Sequence, residues 1–459
     1  MSLLDEASLQ AVELEAVRDE IPQLFASDRT LYDYLMKHGK TIPMSTNTGG
    51  GAGSTYDPSG RPALRVPLFI QAGGNFSQIT ADGQNAANTG LDDLGLGSGS
   101  NFAALFIPPV SFAEACQISF KAQWSSDSSR KARVQIRAHE MTQTLERLKQ
   151  DLESVLQGSG AGELAQIDAT ATVNNDTGTG AQTSSITGFS NAGQLRSQMI
   201  VTFYPTLGGT QRTTGVSTAT VSYVDAVNNA VYFSTALPTG TAAGDYIVIV
   251  GSTGAVGNSV LGLKAWNVTS NTTTVAGLNR ADYPGQFSTP SINLNGLPIT
   301  VQAGRRAKQL IRLALGEDAK AADALVWYGN VDMEASIENL ATNVAITNQQ
   351  EIKGDRNIDM QKEHAPATFA GQEIMVSIHA LPGRLDGLTV PKNWGVGELK
   401  AVDILDLNGL QIFPTYAPSG GLNSSYIFYF VCSFNVFSAN PRANVYLYNG
   451  AIPVGYFGH

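Results

Sequence analysis

The sequence predicts an α+β fold, in which short strands and open loops gather around one long helix. Three observations carry that prediction. First, apolar residues at Val134, Ala138, Met141, Leu145, Leu148, Leu152 and Val155 recur at alternating steps of four and three, which keeps them on one stripe of an α-helix. Second, glycine supplies 47 of the 459 residues and Ser, Thr and Asn are plentiful, the composition of many turns joining strands. Third, the last 60 or so residues are almost wholly strand-like runs rich in Val, Ile, Phe and Tyr.

The long helix spans about 125–156. Good helix formers fill the positions between its apolar residues, and Gly158 and Gly160 stop it. About 30 residues make a rod of roughly 45 Å. A heptad-like stripe of this kind also fits a coiled coil. The small residues Ala132 and Ala138 and the single long run favour a helix laid across a sheet.

Charge is sparse: Lys+Arg number 29 and Asp+Glu 39, 15% of the chain together, against about 25% in ordinary soluble domains. Such a surface suits a β-rich protein, and equally one largely covered by other subunits. The net charge of −10 argues against a dedicated nucleic-acid binder, because phosphate contacts need clustered Lys and Arg. The basic clusters Arg130, Lys131, Arg133 and Arg305, Arg306, Lys308 read as solvated faces or subunit contacts. Cys116 and Cys432 sit in apolar runs and read as buried free thiols. No signal sequence opens the chain and no apolar run approaches 18 residues. The expectation is a soluble chain made in a cytoplasm, with no membrane partner.

In chain order, residues 1–61 read as an arm. Leu9, Val12, Ala16, Val17 and Ile21 make a loose helical face, Leu31, Tyr34 and Leu35 a second, and a Gly-rich neck follows at 45–62. Residues 62–115 hold two strands, around 64–71 and 102–110, framing a long polar, turn-rich interior. That is an extended hairpin. Cys116–Trp124 alternates polar and apolar residues and reads as a strand leading into the helix. Beyond Asp168, a β-rich module is expected at about 190–255, after a short helix near Asn191–Met199. Asn228-Asn229 forms its clearest hairpin turn. A carbohydrate-binding or adhesive module is the rival reading of this stretch. It would need exposed aromatics among Tyr204, Tyr223 and Tyr232, which suit strand packing.

Helices follow at about 301–315, ended by Gly316, and at about 331–345, with Met333, Ile337, Leu340 and Val344 on one face. Buried strands at Ala324–Gly329 and Glu373–Ile378 complete a mixed α/β layer. In the final strands Phe428, Phe430, Cys432, Phe434 and Val436 alternate with Tyr429, Val431, Ser433, Asn435 and Phe437. Both faces are largely apolar, as in a strand covered on both sides. This strand is expected to be central and to lie under the long helix.

Chemistry is not written in the sequence. It contains no HExxH, CxxC, GxSxG or GxxxxGK[ST] pattern. The run Gly95 to Gly99 lacks the strand before and helix after that a phosphate loop needs. His38, His139, His364, His379 and His459 are scattered, without metal-ligand spacing. Asp92-Asp93 and Asp176 read as surface turns. The expectation is no enzyme, no metal and no cofactor.

The order of these features resembles the major capsid proteins of tailed double-stranded DNA bacteriophages, the HK97-like fold. The segment Gly277-Leu278-Asn279-Arg280 with Pro284 is similar to a stretch in many of them. The resemblance implies an N-terminal arm (1–61), an extended β-hairpin loop (62–115) and a spine helix on a peripheral domain (116–167 and 385–459). It implies a mixed α/β axial domain (168–384), here with a β-rich insertion at about 190–255. It also implies a structural protein of the virion. Hexamers and pentamers of one chain would close an icosahedral capsid in the host cytoplasm around DNA held without sequence preference. Portal, scaffolding and decoration proteins would be partners. An encapsulin-like shell, or a β-rich tail or fibre protein, is the alternative. Two departures stand out: the β-rich module exceeds a minimal member, and the loop carries Asn75, Asn85, Asn88 and Asn101 but no lysine, which disfavours a lysine–asparagine crosslink there. On this reading Val134, Ala138, Met141, Leu145, Leu148 and Leu152 face the chain's own sheet. Arg137, Glu140, Arg147 and Lys149 would face the shell interior or a neighbour.

Overall fold

The computed structural model describes residues 28–44, 54–56, 62–74, 99–128, 136–175, 184–225, 228–270, 273–283, 285, 287–316, 325–337, 368–407, 410–416 and 422–451. Several sequence expectations fall outside these residues: the first arm helix, the hairpin interior with Asn75, Asn85, Asn88, Asp92 and Asp93, the cluster at Arg130, and Val134, Asp176, Leu340, Val344, His364 and His459.

The strand Leu422–Ser438 is the longest in the described chain. Its 17 residues reach roughly 55 Å at strand rise. It sits inside a sheet, with Val110–Ser119 along one edge and Trp394–Ile404 and Phe413–Tyr416 along the other, all antiparallel. From Cys432 to Ser438 it is buried throughout, including Phe434, Val436 and Phe437, while Leu422, Asn423 and Ser424 run out into solvent. Phe428 and Phe430 are buried too. The arm adds the outermost strand: Lys40–Pro43 pairs in parallel with Trp394–Ile404, Lys40 opposite Gly395 and Ile42 opposite Gly397. The arm comes this close because Gly397 has no side chain; a Cβ there would stand 2.0 Å from the Met44 methyl carbon.

Helix begins earlier than the alternation at Cys116–Trp124 predicts. The strand stops at Ser119 and a helix occupies Phe120–Ser128. Ser119 turns the chain, its hydroxyl accepting from the Ala122 N–H at 3.1 Å as an N-cap does. The spine helix then runs Ile136–Val155. It lies chiefly over Val110–Ser119 and also contacts Leu422–Ser438. Leu148 and Leu152 are buried, and Met141 and Leu145 are half-buried against the same core. Ala138 is exposed, a correction to the expected stripe. The charged face also differs from expectation. Arg147 reaches Gln198 at 3.1 Å, and the Cys116 thiol lies 3.8 Å from Glu140. Glu140 lies against the strand Val110–Ser119, and Arg147 faces another module packed along the helix.

That module is a closed barrel of six strands: Glu163–Asn174, Ser184–Phe189, Ile200–Tyr204, Ala219–Asp225, Ala230–Phe233 and Tyr246–Ile249. It starts at Glu163, well before the anticipated 190, and closure removes the edges an open module would expose. The predicted hairpin is present, Ala219–Asp225 against Ala230–Phe233 with Asn229 at φ 50°. The helix expected near Asn191–Met199 is a single 3-10 turn, Ala192–Gln194. Ile186, Val201, Phe203, Val221, Val231, Phe233 and Ile247 fill the interior. Tyr204 is buried, whereas Tyr223 and Tyr232 lie on the outer surface, contrary to the packing role expected for them.

The spine ends against a short helix, Leu263–Trp266, whose first N–H groups, Leu263 and Lys264, donate to the carbonyls of Leu156 and Gln157 at 2.8 and 3.4 Å. Orphan carbonyls of one helix thus meet orphan donors of another. The approach requires Gly262: a Cβ there would stand 2.1 Å from the Leu156 carbonyl oxygen. Gly262→Ala is expected to cost about 1–3 kcal/mol by overpacking, seen as a lower thermal midpoint in calorimetry.

A second core belongs to a six-stranded mixed sheet in the order Ser291–Asn293, Val445–Tyr448, Leu385–Leu388, Val326–Gly329, Gln372–Val376, Thr368–Phe369. The helix Val301–Leu315 covers it, capped at its start by Thr300, whose hydroxyl accepts from Ala303 N–H at 3.2 Å. Ala303, Ala307 and Ile311 bury against Trp327, Phe369 and Leu447. Leu385–Leu388 and Val445–Tyr448 therefore pair with strands of the mixed α/β layer, although the sequence reading gave residues 385–459 to the spine's domain.

Candidate assembly surface

Two extremities of the chain carry apolar side chains that its own cores do not cover. One is the hairpin formed by Pro62–Gln71 and Asn101–Ile107. Leu64, Leu68, Leu105 and Ile107 point into the body and are buried. On the other side Phe69 and Phe102, directly opposite in the register, are 60% and 67% exposed, with ring centroids 5.2 Å apart. Beside them Pro67, Leu68, Phe69 and Ile70 face Phe287 and Arg442 across a cleft of about 230 Å³. The other extremity is the far end of the long-stranded sheet. There Tyr416 stands opposite Leu422, 62% and 71% exposed, and Leu407 is bridged to Leu410, both half or more exposed. Isolated exposed apolar residues are ordinary, but groups of them at projecting ends mark contact sites.

The C-terminal half of the spine helix is instead enclosed on every side, and it locks three parts of the chain together. Toward the barrel, Arg196 forms a two-pronged ion pair with Asp151 and reaches Glu114 at 3.3 Å. Burial would lower the Arg196 pKa, but Asp151 and Glu114 outweigh it and hold the guanidinium above its ordinary range. Toward the arm, the helix Thr30–His38 has no cap from its own Arg29. Glu153 supplies it. Leu31 N–H donates to Glu153 Oε1 at 3.1 Å and Tyr32 N–H to Oε2 at 2.6 Å. Toward the six-stranded sheet, the Tyr328 hydroxyl donates to Glu153 Oε1 at 2.8 Å and accepts from Gln157 Nε2 at 2.8 Å. Ser154 Oγ lies 3.0 Å from His379 Nδ1. Complete burial pushes the Glu153 carboxyl up to about 7, against the pull of its donors, and desolvation lowers the His379 pKa. Sequence reading missed Glu153 and His379, since a lone Glu on an amphipathic helix gives no sign of burial.

The cysteines are both buried and free, and burial raises Cys116 to about 11 and Cys432 to about 12. Neither is poised as a nucleophile. Arg280, in the segment that resembles the capsid motif, is buried and donates to the Ala265 carbonyl at 2.6 Å and the Thr273 hydroxyl at 2.9 Å. Among the described residues, no three His, Cys, Asp or Glu side chains are grouped as a metal site.

The spine helix over its sheet, the hairpin, the arm and the mixed α/β layer together make an HK97-like capsid fold with an added closed barrel. No protein-family model matches the sequence, and no curated protein matches it. A chain of the cyanophage A-1(L) capsid asymmetric unit aligns with a TM-score of 0.52 at 10% identity, over 94% of this chain and 96% of that one. A chain of Gordonia phage Cozz aligns at 0.44 and 10% identity, over 97% and 94%. The encapsulin of the holo-SrpI complex from Synechococcus elongatus PCC 7942 aligns at 0.40 and 12% identity, over 99% and 98%.

Proposed function

We propose that this chain is a major capsid protein of a tailed double-stranded DNA bacteriophage, building the icosahedral head from hexamers and pentamers of itself. The observation that carries the proposal is the placement of uncovered apolar side chains, Phe69 and Phe102 on the hairpin and Tyr416 and Leu422 on the sheet tip. A lone monomer leaves that surface in water; a shell repeats each contact through every subunit, so modest contacts add up through effective concentration. The HK97-like fold supports this reading. So does a chain with only 15% charged residues and a net charge of −10, which suits an enclosure that does not grip its DNA. In this reading the spine helix and its sheet are the peripheral domain and the six-stranded sheet the axial domain. Portal, scaffolding and decoration proteins would be the partners, and the mature chain would reside in the virion.

Sedimentation and negative-stain microscopy of the protein purified from its source test the proposal. Closed, uniform shells are expected; a monodisperse monomer at every concentration would refute it.

A further inference from the structure

The closed barrel carries two exposed rings on its outer face. Phe203 and Phe233 lie inside it, and closure pairs every strand on both sides. A ligand is therefore met by outward side chains rather than by a free strand edge. Asn174, Ser185, Tyr232 and Tyr223 stand directly opposite one another across four adjacent strands, so all four point to the same side of the sheet. Thr172 and Thr187, paired with each other one step along the same side, continue it. Tyr223 and Tyr232 are 57% and 38% exposed, with ring centroids 6.0 Å apart and planes tilted by 31°.

Charge is nearly absent from this module. From Glu163 to Gly251 the sequence has no lysine, and its arginines are Arg196 and Arg212. Both are committed: Arg196 pairs with Asp151 and Glu114, and Arg212 donates to Asp245 through hydrogen bonds of 2.6 and 2.8 Å. Asp225, the acid closest to the tyrosines in sequence, accepts from the backbone and side chain of Asn228. Glu163 is buried. Phosphate, sulfate and uronate ligands need a free cation, which the barrel does not offer. The core of a protein contact is depleted in serine, whereas hydroxyls and an amide flank these rings. A neutral, hydroxyl-rich ligand fits: the tyrosine faces cover its C–H groups, while Asn174, Ser185, Thr172 and Thr187 exchange hydrogen bonds with its hydroxyls.

We propose that the outer face of the barrel at Tyr223 and Tyr232 binds a neutral saccharide chain, with one ring under each of two neighbouring sugar units. The exposed aromatics that a saccharide-binding module requires are these two, Tyr204 being buried. This goes beyond shell formation and does not rest on it, because the face is complete within one chain.

Low-speed co-sedimentation of the full chain with insoluble neutral polysaccharides tests the site. Cellulose, chitin, curdlan and cross-linked dextran are the probes, each challenged with a soluble hexasaccharide of its own repeat. At least one matrix is expected to retain the chain and to release it to that hexasaccharide. Tyr223→Ala combined with Tyr232→Ala should bind the matrix about tenfold more weakly, with circular dichroism and thermal midpoint unchanged. Phe69→Ser combined with Phe102→Ser, which removes a different exposed ring pair, should be retained like the wild type. Nitration of Tyr223 and Tyr232 by tetranitromethane, slowed by the hexasaccharide, reads the site without any substitution. Retention by no matrix overturns the proposal. So does retention that the hexasaccharide does not release, retention that survives in the tyrosine variant, or nitration unaffected by the sugar. If the wild type binds no saccharide and the tyrosine variant forms no shells, the face is a contact between copies instead.

Discussion

Tyr416→Ser combined with Leu422→Ser is expected to leave the subunit folded and to abolish the proposed shell formation. Both side chains stand opposite each other at the tip of the long sheet, more than half exposed, so neither supports a core of this chain. Fully burying one large apolar side chain against a neighbour contributes about 1.5–3 kcal/mol. Losing two per subunit raises the concentration needed for assembly by about 100-fold or more. Circular dichroism and thermal midpoints should match the wild type within about 0.5 kcal/mol, as expected for exposed positions, while light scattering reports no particles. Normal assembly of the double variant would show that the tip makes no contact of consequence.

Leu152→Ala is expected to have the largest effect on the subunit itself. Leu152 is 1% exposed, in the turn of the spine helix that carries Asp151 toward the barrel and Glu153 toward the arm. A cavity at such a site costs about 2–5 kcal/mol, depending on how far the surroundings collapse. Three packed parts meet there and none can close the gap alone. Leu145→Ala, one side of which faces solvent, should cost less. Denaturant midpoints measured on both variants check the order; equal losses would mean that the enclosed half of the helix is no more constrained than the open half.

The contrast between those two leucines shows what periodicity conveys. The four-three spacing located the helix, and two-sided apolarity from Phe428 to Phe437 located the central strand, because each pattern reflects one element meeting one surface. It does not report how many surfaces an element meets. Glu153 and Asp151 flank Leu152 and look like a solvated face in the sequence, but the arm crosses one side and the barrel the other. Phe120–Trp124 alternates as a strand does, and the Ser119 cap decides for helix. The barrel begins earlier than expected, with Glu163–Asn174, where Ala165, Ile167, Ala169, Ala171 and Val173 alternate with polar residues; small Ala and Thr side chains make that strand a weak apolar signal. Ala138 fits the stripe by spacing and lies in solvent, near the start of the described helix. The exposed pairs Phe69–Phe102 and Tyr416–Leu422 were not legible, since a strand's outward face is assigned only when its partner's register is known.

The most direct test is a cryo-electron microscopy reconstruction of the assembled protein. The account predicts a closed icosahedral shell in which Leu148 and Leu152 remain against the subunit's own sheet, while Phe69, Phe102, Tyr416 and Leu422 are buried by neighbouring copies. Spine helices paired with one another through Met141, Leu145 and Leu148, or a shell that leaves both extremities in solvent, would contradict it.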